Sequence, residues 1–138
     1  VAVQLSQLGA LGVLNLEGLQ TRYADPNPLL DRIAAVDTQE FVPLMQQLYA
    51  EAIKPELITQ RIQEIKAAGG IAAVSATPAA ASRYGAVVAA AGADLFFVQA
   101  TVVSTAHLSP EAIVPLDLAQ FCQEMPMPVI LGNCVTYE

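Results

Sequence analysis

Short apolar runs alternate along this chain with longer segments whose apolar residues recur at helical spacing. Residues 1–8 carry Val1, Val3, Leu5 and Leu8 with Gln between them and stop at Gly9, which predicts a helix closed by a glycine. Residues 11–16 (LGVLNL) predict a strand buried on both faces. Residues 17–27 read as a loop, since Asp25, Pro26, Asn27 and Pro28 are turn formers. Short helices are expected at 29–35 and 43–50, around a polar break at 37–40. Residues 55–68 predict a longer helix, because Leu57, Ile58, Ile62 and Ile65 fall on one face and Gly69-Gly70 ends it. A strand at 71–76, an Ala-rich helix at 79–91 stopped by Gly92, and a strand at 94–100 (DLFFVQA) follow. Ser109-Pro110-Glu111 marks a helix start that Pro115 interrupts, leaving 116–122 as the main helical stretch. Pro126-Met127-Pro128 leads into a last strand, 129–131, ending at Gly132-Asn133.

The repeating unit is a helix, then AAGG or AAGAD, then an apolar strand with a polar tip. It occurs at 67–76 and at 90–99. Units of this kind build a parallel sheet with right-handed crossovers. An open doubly wound sheet and a (β/α)8 barrel both satisfy the pattern. Polar or small residues at Asn15, Gln99-Ala100-Thr101 and Gly132-Asn133 end successive strands, which suits a barrel mouth. No GxGxxG or GxxxxGK[ST] run supports the open sheet.

Composition narrows the partners. The 138 residues are 54% hydrophobic, with 13 acids against 6 bases and a formal net charge of −7. That balance argues against nucleic acid or an anionic membrane, which require a basic face. The longest apolar stretches, 71–81 and 85–93, are too short to cross a bilayer and are broken by Pro78, Arg83 and Asp94. Cys122 and Cys134 lack metal-ligand spacing and form no disulfide framework, so no metal site is expected and a reducing, cytoplasmic setting is. Val1 falls within a helical pattern and Glu138 just beyond a strand, so residues 1–138 are expected to be a piece of one larger barrel domain.

Candidate chemistry is sparse. Gly132 lets a backbone approach a ligand, and the Asn133 amide both donates and accepts; an ordinary strand-to-loop turn uses the same residues. Gln99, Thr101, Ser104, Thr105 and His107 form the densest polar cluster. His107 suits acid–base work, but capping the helix near Ser109 is the favoured reading. Cys134 lies near a strand end without an adjacent base, and Cys122 is expected in the core. Residues 23–28 suit a lid, an interface loop or a solvated connection. Glu51, Lys54, Glu56, Arg61 and Glu64 are expected on solvated helix faces.

Three segments together resemble the IMP dehydrogenase/GMP reductase family. Residues 3–15 (VQLSQLGALGVLN) are similar to its helix–LGGxGV–strand entry, Ala91-Gly92-Ala93-Asp94 to its AGAD segment, and 128–136 (PVILGNCVT) to its strand with GNxxT. Only 17–56 separates the first strand from the next helix, too little for a pair of CBS domains, and Gln99 stands where typical members carry Asp. The likeness is thus to the branch lacking CBS domains. It implies an α/β fold, a partial TIM (β/α)8 barrel of about strands 2 to 5. It implies NAD or NADP as cofactor, a purine nucleotide (IMP, GMP or XMP) as substrate, and a homo-oligomer, a tetramer or octamer. The family's Cys attacks purine C2 from a glycine-rich loop that neither Cys122 nor Cys134 matches. No catalytic residue is therefore assigned here, and the piece alone is expected to be inactive. Asn15, Gln99, Thr101, Gly132 and Asn133 are the expected substrate or cofactor contacts. A non-catalytic nucleotide-binding or assembly module, or an unrelated phosphate-binding barrel, are the other functions these residues leave open.

Overall fold

The computed structural model describes residues 1–103 and 116–134, with side chains at 1–99 and 116–132. Among them the elements run α1 (Ala2–Gln7), β1 (Val13–Asn15), a 3-10 turn (Leu19–Thr21), α2 (Asn27–Ala35), α3 (Phe41–Tyr49), α4 (Pro55–Ala67), β2 (Ala73–Ala76), α5 (Pro78–Ala91), β3 (Leu95–Val103), α6 (Leu118–Glu124) and β4 (Val129–Cys134). The strands form one sheet in the order β1-β2-β3-β4, and every pair is parallel.

Strand alternation assigns the two faces of the sheet. Val74, Ala76, Phe96 and Val98 join a buried cluster with Ile58, Ile62 and Ile65 of α4, Ala81, Tyr84 and Val88 of α5, and Leu118 and Phe121 of α6. Leu14, Val129 and Leu131 pack against the same cluster. Helices α4, α5 and α6 therefore cover one face only. A doubly wound sheet has helices on both faces and a reversal of strand order. Sequential parallel order with one helical layer is instead the arrangement of consecutive barrel staves.

Local chemistry sets the element ends. Gly9, Gly69 and Gly92 adopt φ near +77°, the left-handed conformation that closes α1, α4 and α5. Gly12 answers a close approach, since a Cβ there would lie 2.5 Å from the Ala2 Cα. That contact seats α1 across the start of β1. The Phe121 ring meets Phe96 edge-on at 5.3 Å, in space left by Gly85 of α5.

The structure alters several expectations. The strand expected at 11–16 is reduced to Val13–Asn15 and is not buried on both faces: Val13 is 41% exposed and Asn15 is exposed. Among the described residues β1 pairs with β2 alone, so its outer edge has no strand partner. The loop expected at 17–27 contains the 3-10 turn, with Leu19 and Thr21 buried. The last helix lies at Leu118–Glu124 because Asp117 caps it, accepting from the Gln120 N–H at 2.9 Å. Cys122 is exposed on that helix, not in the core, since α6 turns Leu118 and Phe121 inward.

Candidate functional site

Parallel strands end together, so β1 to β4 share one lip. The helices claim one set of alternate side chains. The other set, Val13 and Asn15, Ala73 and Ser75, Phe97 and Gln99, Ile130 and Gly132, lies on the opposite, inner face. Register aligns Asn15, Ser75, Phe97 and Ile130 in one row across all four strands. Gln99 and Gly132 are direct partners in the next row toward the lip. The lip thus has an apolar floor, half-buried Phe97 and exposed Ile130, beside the Asn15 and Gln99 amides.

The expected contact residues distribute as follows. Gln99, exposed, and Gly132 come together across β3 and β4, about 5 Å apart between backbones. Asn15 stands on the same face at the same end, two strands away and about 10 Å across the sheet. Thr101 and Asn133 belong to strands β3 and β4 rather than to the loops beyond them. Pairing of Gln99 with Gly132 and of Val103 with Cys134 leaves two surplus residues in β3, an irregularity around Thr101. Such bulges re-aim strand tips and recur beside binding sites. His107, Ser104, Thr105 and the helix start at 109–111 lie outside the described residues.

Among the described residues, a Cβ at Gly132 would meet nothing within 4 Å, and its φ is not positive. Neither packing nor backbone conformation among the described residues demands glycine there. What glycine supplies is room for a group to approach the backbone.

At β1 the rim is tightly built. Asn15 Oδ1 accepts from the Glu17 N–H at 2.9 Å and its carbonyl from the Gly18 N–H at 3.2 Å. Leu16 N–H continues the ladder to the Ser75 carbonyl at 2.9 Å. The Glu17 carboxylate accepts from the Thr77 N–H at 2.9 Å and the Thr77 hydroxyl at 3.1 Å. Glu17, Ser75 and Thr77 were not foreseen as rim residues. Period-2 alternation would have placed Ser75 with Asn15, and Thr77-Pro78 is a visible N-cap followed by N1 proline.

The segment at 23–28 is not a free lid. Arg61, 15% exposed rather than solvated, donates from Nε to the Gln20 carbonyl at 3.1 Å and from its second terminal nitrogen to the Ala24 carbonyl at 2.5 Å. The Tyr23 hydroxyl donates to the Leu48 carbonyl at 3.0 Å, and Arg22 donates to the Tyr49 and Glu51 carbonyls. Lys54 pairs with Glu51 at 2.7 Å and Glu64 with Arg61 at 2.9 Å, while Glu56 is exposed.

The AGAD segment works at the opposite end of the sheet. Asp94 accepts from the Ala72 N–H and from Lys66 Nζ, each at 2.8 Å. Those two bonds, Lys66 first, hold its carboxyl below the usual aspartate range. No group of three or more His, Cys, Asp or Glu is placed to hold a metal among the described residues. Nor is any described helix long and apolar enough to cross a membrane.

No family model matches the chain. It is 33% identical over 142 residues to an uncharacterized oxidoreductase of Mycolicibacterium smegmatis, and 34% and 35% identical to uncharacterized oxidoreductases of Mycobacterium tuberculosis and Mycobacterium leprae. Each alignment covers 99% of this chain and 38% of the relative, so the chain spans less than two-fifths of their length. An IMP dehydrogenase/GMP reductase-like protein from Corynebacterium glutamicum superposes with a TM-score of 0.84 at 30% identity, covering 96% of this chain and 35% of that one. The fold is α/β, a partial (β/α)8 barrel.

Proposed function

We propose that the protein carrying this chain is an oxidoreductase that acts on a purine nucleotide with a nicotinamide cofactor. One observation carries this reading: Gln99 and Gly132 meet as register partners at the lip of a parallel sheet whose fold matches an IMP dehydrogenase/GMP reductase-like protein. The rim fits such ligands in its chemistry. The Gln99 and Asn15 amides can pair with a purine edge, a carboxamide or ribose hydroxyls, each of which presents both donors and acceptors. The space that the described residues leave over Gly132 and the apolar floor of Phe97 and Ile130 suit a flat ring.

The nicotinamide group, when bound, supplies or accepts hydride. Residues of this chain bind and orient; Asn15, Gln99 and Gly132 hold ring and ribose, with Thr101 and Asn133 on the same strand tips. The nucleophile for purine C2 belongs to a glycine-rich loop elsewhere in the protein, since neither Cys122, on the outer helical layer, nor Cys134, at the end of β4, lies in such a loop. In the oxidative direction IMP, water and NAD+ give XMP, NADH and a proton. In the reductive direction GMP, NADPH and two protons give IMP, NADP+ and ammonium. We further propose a cytoplasmic homo-oligomer. The test is the full-length protein assayed at the reduced-nicotinamide absorbance band with IMP plus NAD+ or NADP+, and with GMP plus NADPH. One of these mixtures should turn over. Nucleotide binding by calorimetry without any turnover would instead make the protein a non-catalytic binding module.

A further inference from the structure

Helix α5 takes its cap from a distant part of the chain. Thr77 is its N-cap and Pro78 its first residue, and the Thr77 hydroxyl oxygen accepts from the Ala80 N–H at 3.4 Å. A capping box would place Glu or Gln at the Ala80 position to take the Thr77 N–H. Ala80 is buried in the core, where a carboxylate would lose its hydration. Glu17, sixty positions earlier, takes the N–H instead, and its second oxygen takes the Thr77 hydroxyl. The same residue donates its own N–H to Asn15 Oδ1 and accepts from Arg22 Nε through its carbonyl at 3.3 Å.

We propose that Glu17 is a positioning residue: by completing the α5 cap from across the lip it clamps the tip of β1 to the tip of β2 and so aims the Asn15 amide. The clamp concentrates three tasks in one residue. Its carboxylate fixes where the β1 tip sits relative to β2. Its N–H occupies the Asn15 oxygen, which turns the donor side of that amide away from Glu17. Its carbonyl receives Arg22, whose guanidinium also holds the Tyr49 and Glu51 carbonyls at the end of α3. The functional half of this inference rests on the lip being the ligand site proposed above. The clamp itself does not.

The experiment uses the full-length protein as wild type, E17Q and E17A, followed by hydrogen–deuterium exchange with mass spectrometry. E17A should speed exchange in the peptides covering 13–20 and 74–80 together, on the order of tenfold. E17Q keeps the side-chain length and an oxygen for the Thr77 N–H, and should restore both. Faster exchange in 74–80 alone would reduce Glu17 to a cap for α5 and overturn the proposal. The second arm is a double-mutant cycle with N15A on kcat/KM for the nucleotide and cofactor pair that turns over. E17A should cost on the order of tenfold in the wild-type background and about twofold or less in N15A. Losses that multiply would overturn the positioning role. If wild type turns over none of the nucleotide mixtures, the proposed function fails, and the exchange of 13–20 still decides the clamp.

Discussion

Two residues of the recurring glycine and aspartate motifs separate stability from function. Asp94 ends the Ala91-Gly92-Ala93-Asp94 segment, and its carboxylate accepts from the Ala72 N–H and from Lys66 at the end of the sheet opposite the lip. The Lys66 pair is 41% exposed on both sides, so the backbone bond dominates its value. Asp94→Ala should cost about 1 kcal/mol in urea unfolding at neutral pH. A carboxyl whose folded pKa lies below its ordinary 3.8 stabilises the fold above that value and loses this contribution as pH falls through the folded pKa. The difference between wild type and D94A should therefore be full at pH 7 and shrink below about pH 4. Gly132 is the converse case. Since a Cβ there meets nothing among the described residues, Gly132→Ala should leave stability within about 0.5 kcal/mol while raising KM for the nucleotide or cofactor in the full-length protein. Equal KM values would remove Gly132 from the site.

The apolar stripe of α4 was readable from sequence, and the long-range polar contacts of its other face were not. The pattern at Leu57, Ile58, Ile62 and Ile65 located α4 to within a residue, because all four of those side chains are buried. The same helix misled at Arg61, whose position on the polar face hides that its guanidinium reaches back across 37 to 41 positions to the Gln20, Tyr23 and Ala24 carbonyls. Sequence periodicity carries no signal for such a bond, and it is this bond that makes a fixed connection of a segment whose sequence suits a lid, an interface loop or a solvated connection alike. The Lys54 N–H, donating to the Thr21 carbonyl at 2.8 Å, closes the same excursion. Arg61→Ala should strand those carbonyls, cost about 1–3 kcal/mol, and speed amide exchange across 17–27. Arg61→Lys should recover only part of the loss, since one ammonium cannot reproduce a fork that serves separate carbonyls.

At the scale of the whole chain, the βα repeat carried the parallel sheet and the polar strand tips pointed to the barrel, while the strand order and the single helical layer that separate it from an open sheet came from the structure. Hydrophobic strands read alike whether helices cover one face or two. The decision came from Leu14, Val74, Phe96 and Val129, one register row that packs wholly against the α4–α6 layer. The opposite row, Asn15 to Ile130, is where a ligand-facing mouth belongs, and its central member Ser75 is buried while its outer members are exposed. That gradient has an energetic consequence. Among the described residues β1 pairs only with β2 and β4 only with β3, so two strand edges present unpaired backbone donors and acceptors. Along the β1 edge runs a cavity of about 470 Å³ lined by Leu11, Val13, Asn15 and Ile65 among others. Val13 and Ile130 are 41% and 42% exposed beside the two edges. A polypeptide of residues 1–138 expressed alone should therefore self-associate through these edges and show no turnover. Size-exclusion chromatography with light scattering should give a mass that rises with concentration. Val13→Lys, which puts a charge beside the β1 edge without touching the helical layer, should lower that mass toward the monomer. A monodisperse wild-type polypeptide that unfolds cooperatively would mean that the edges and the inner face are satisfied within the 138 residues themselves.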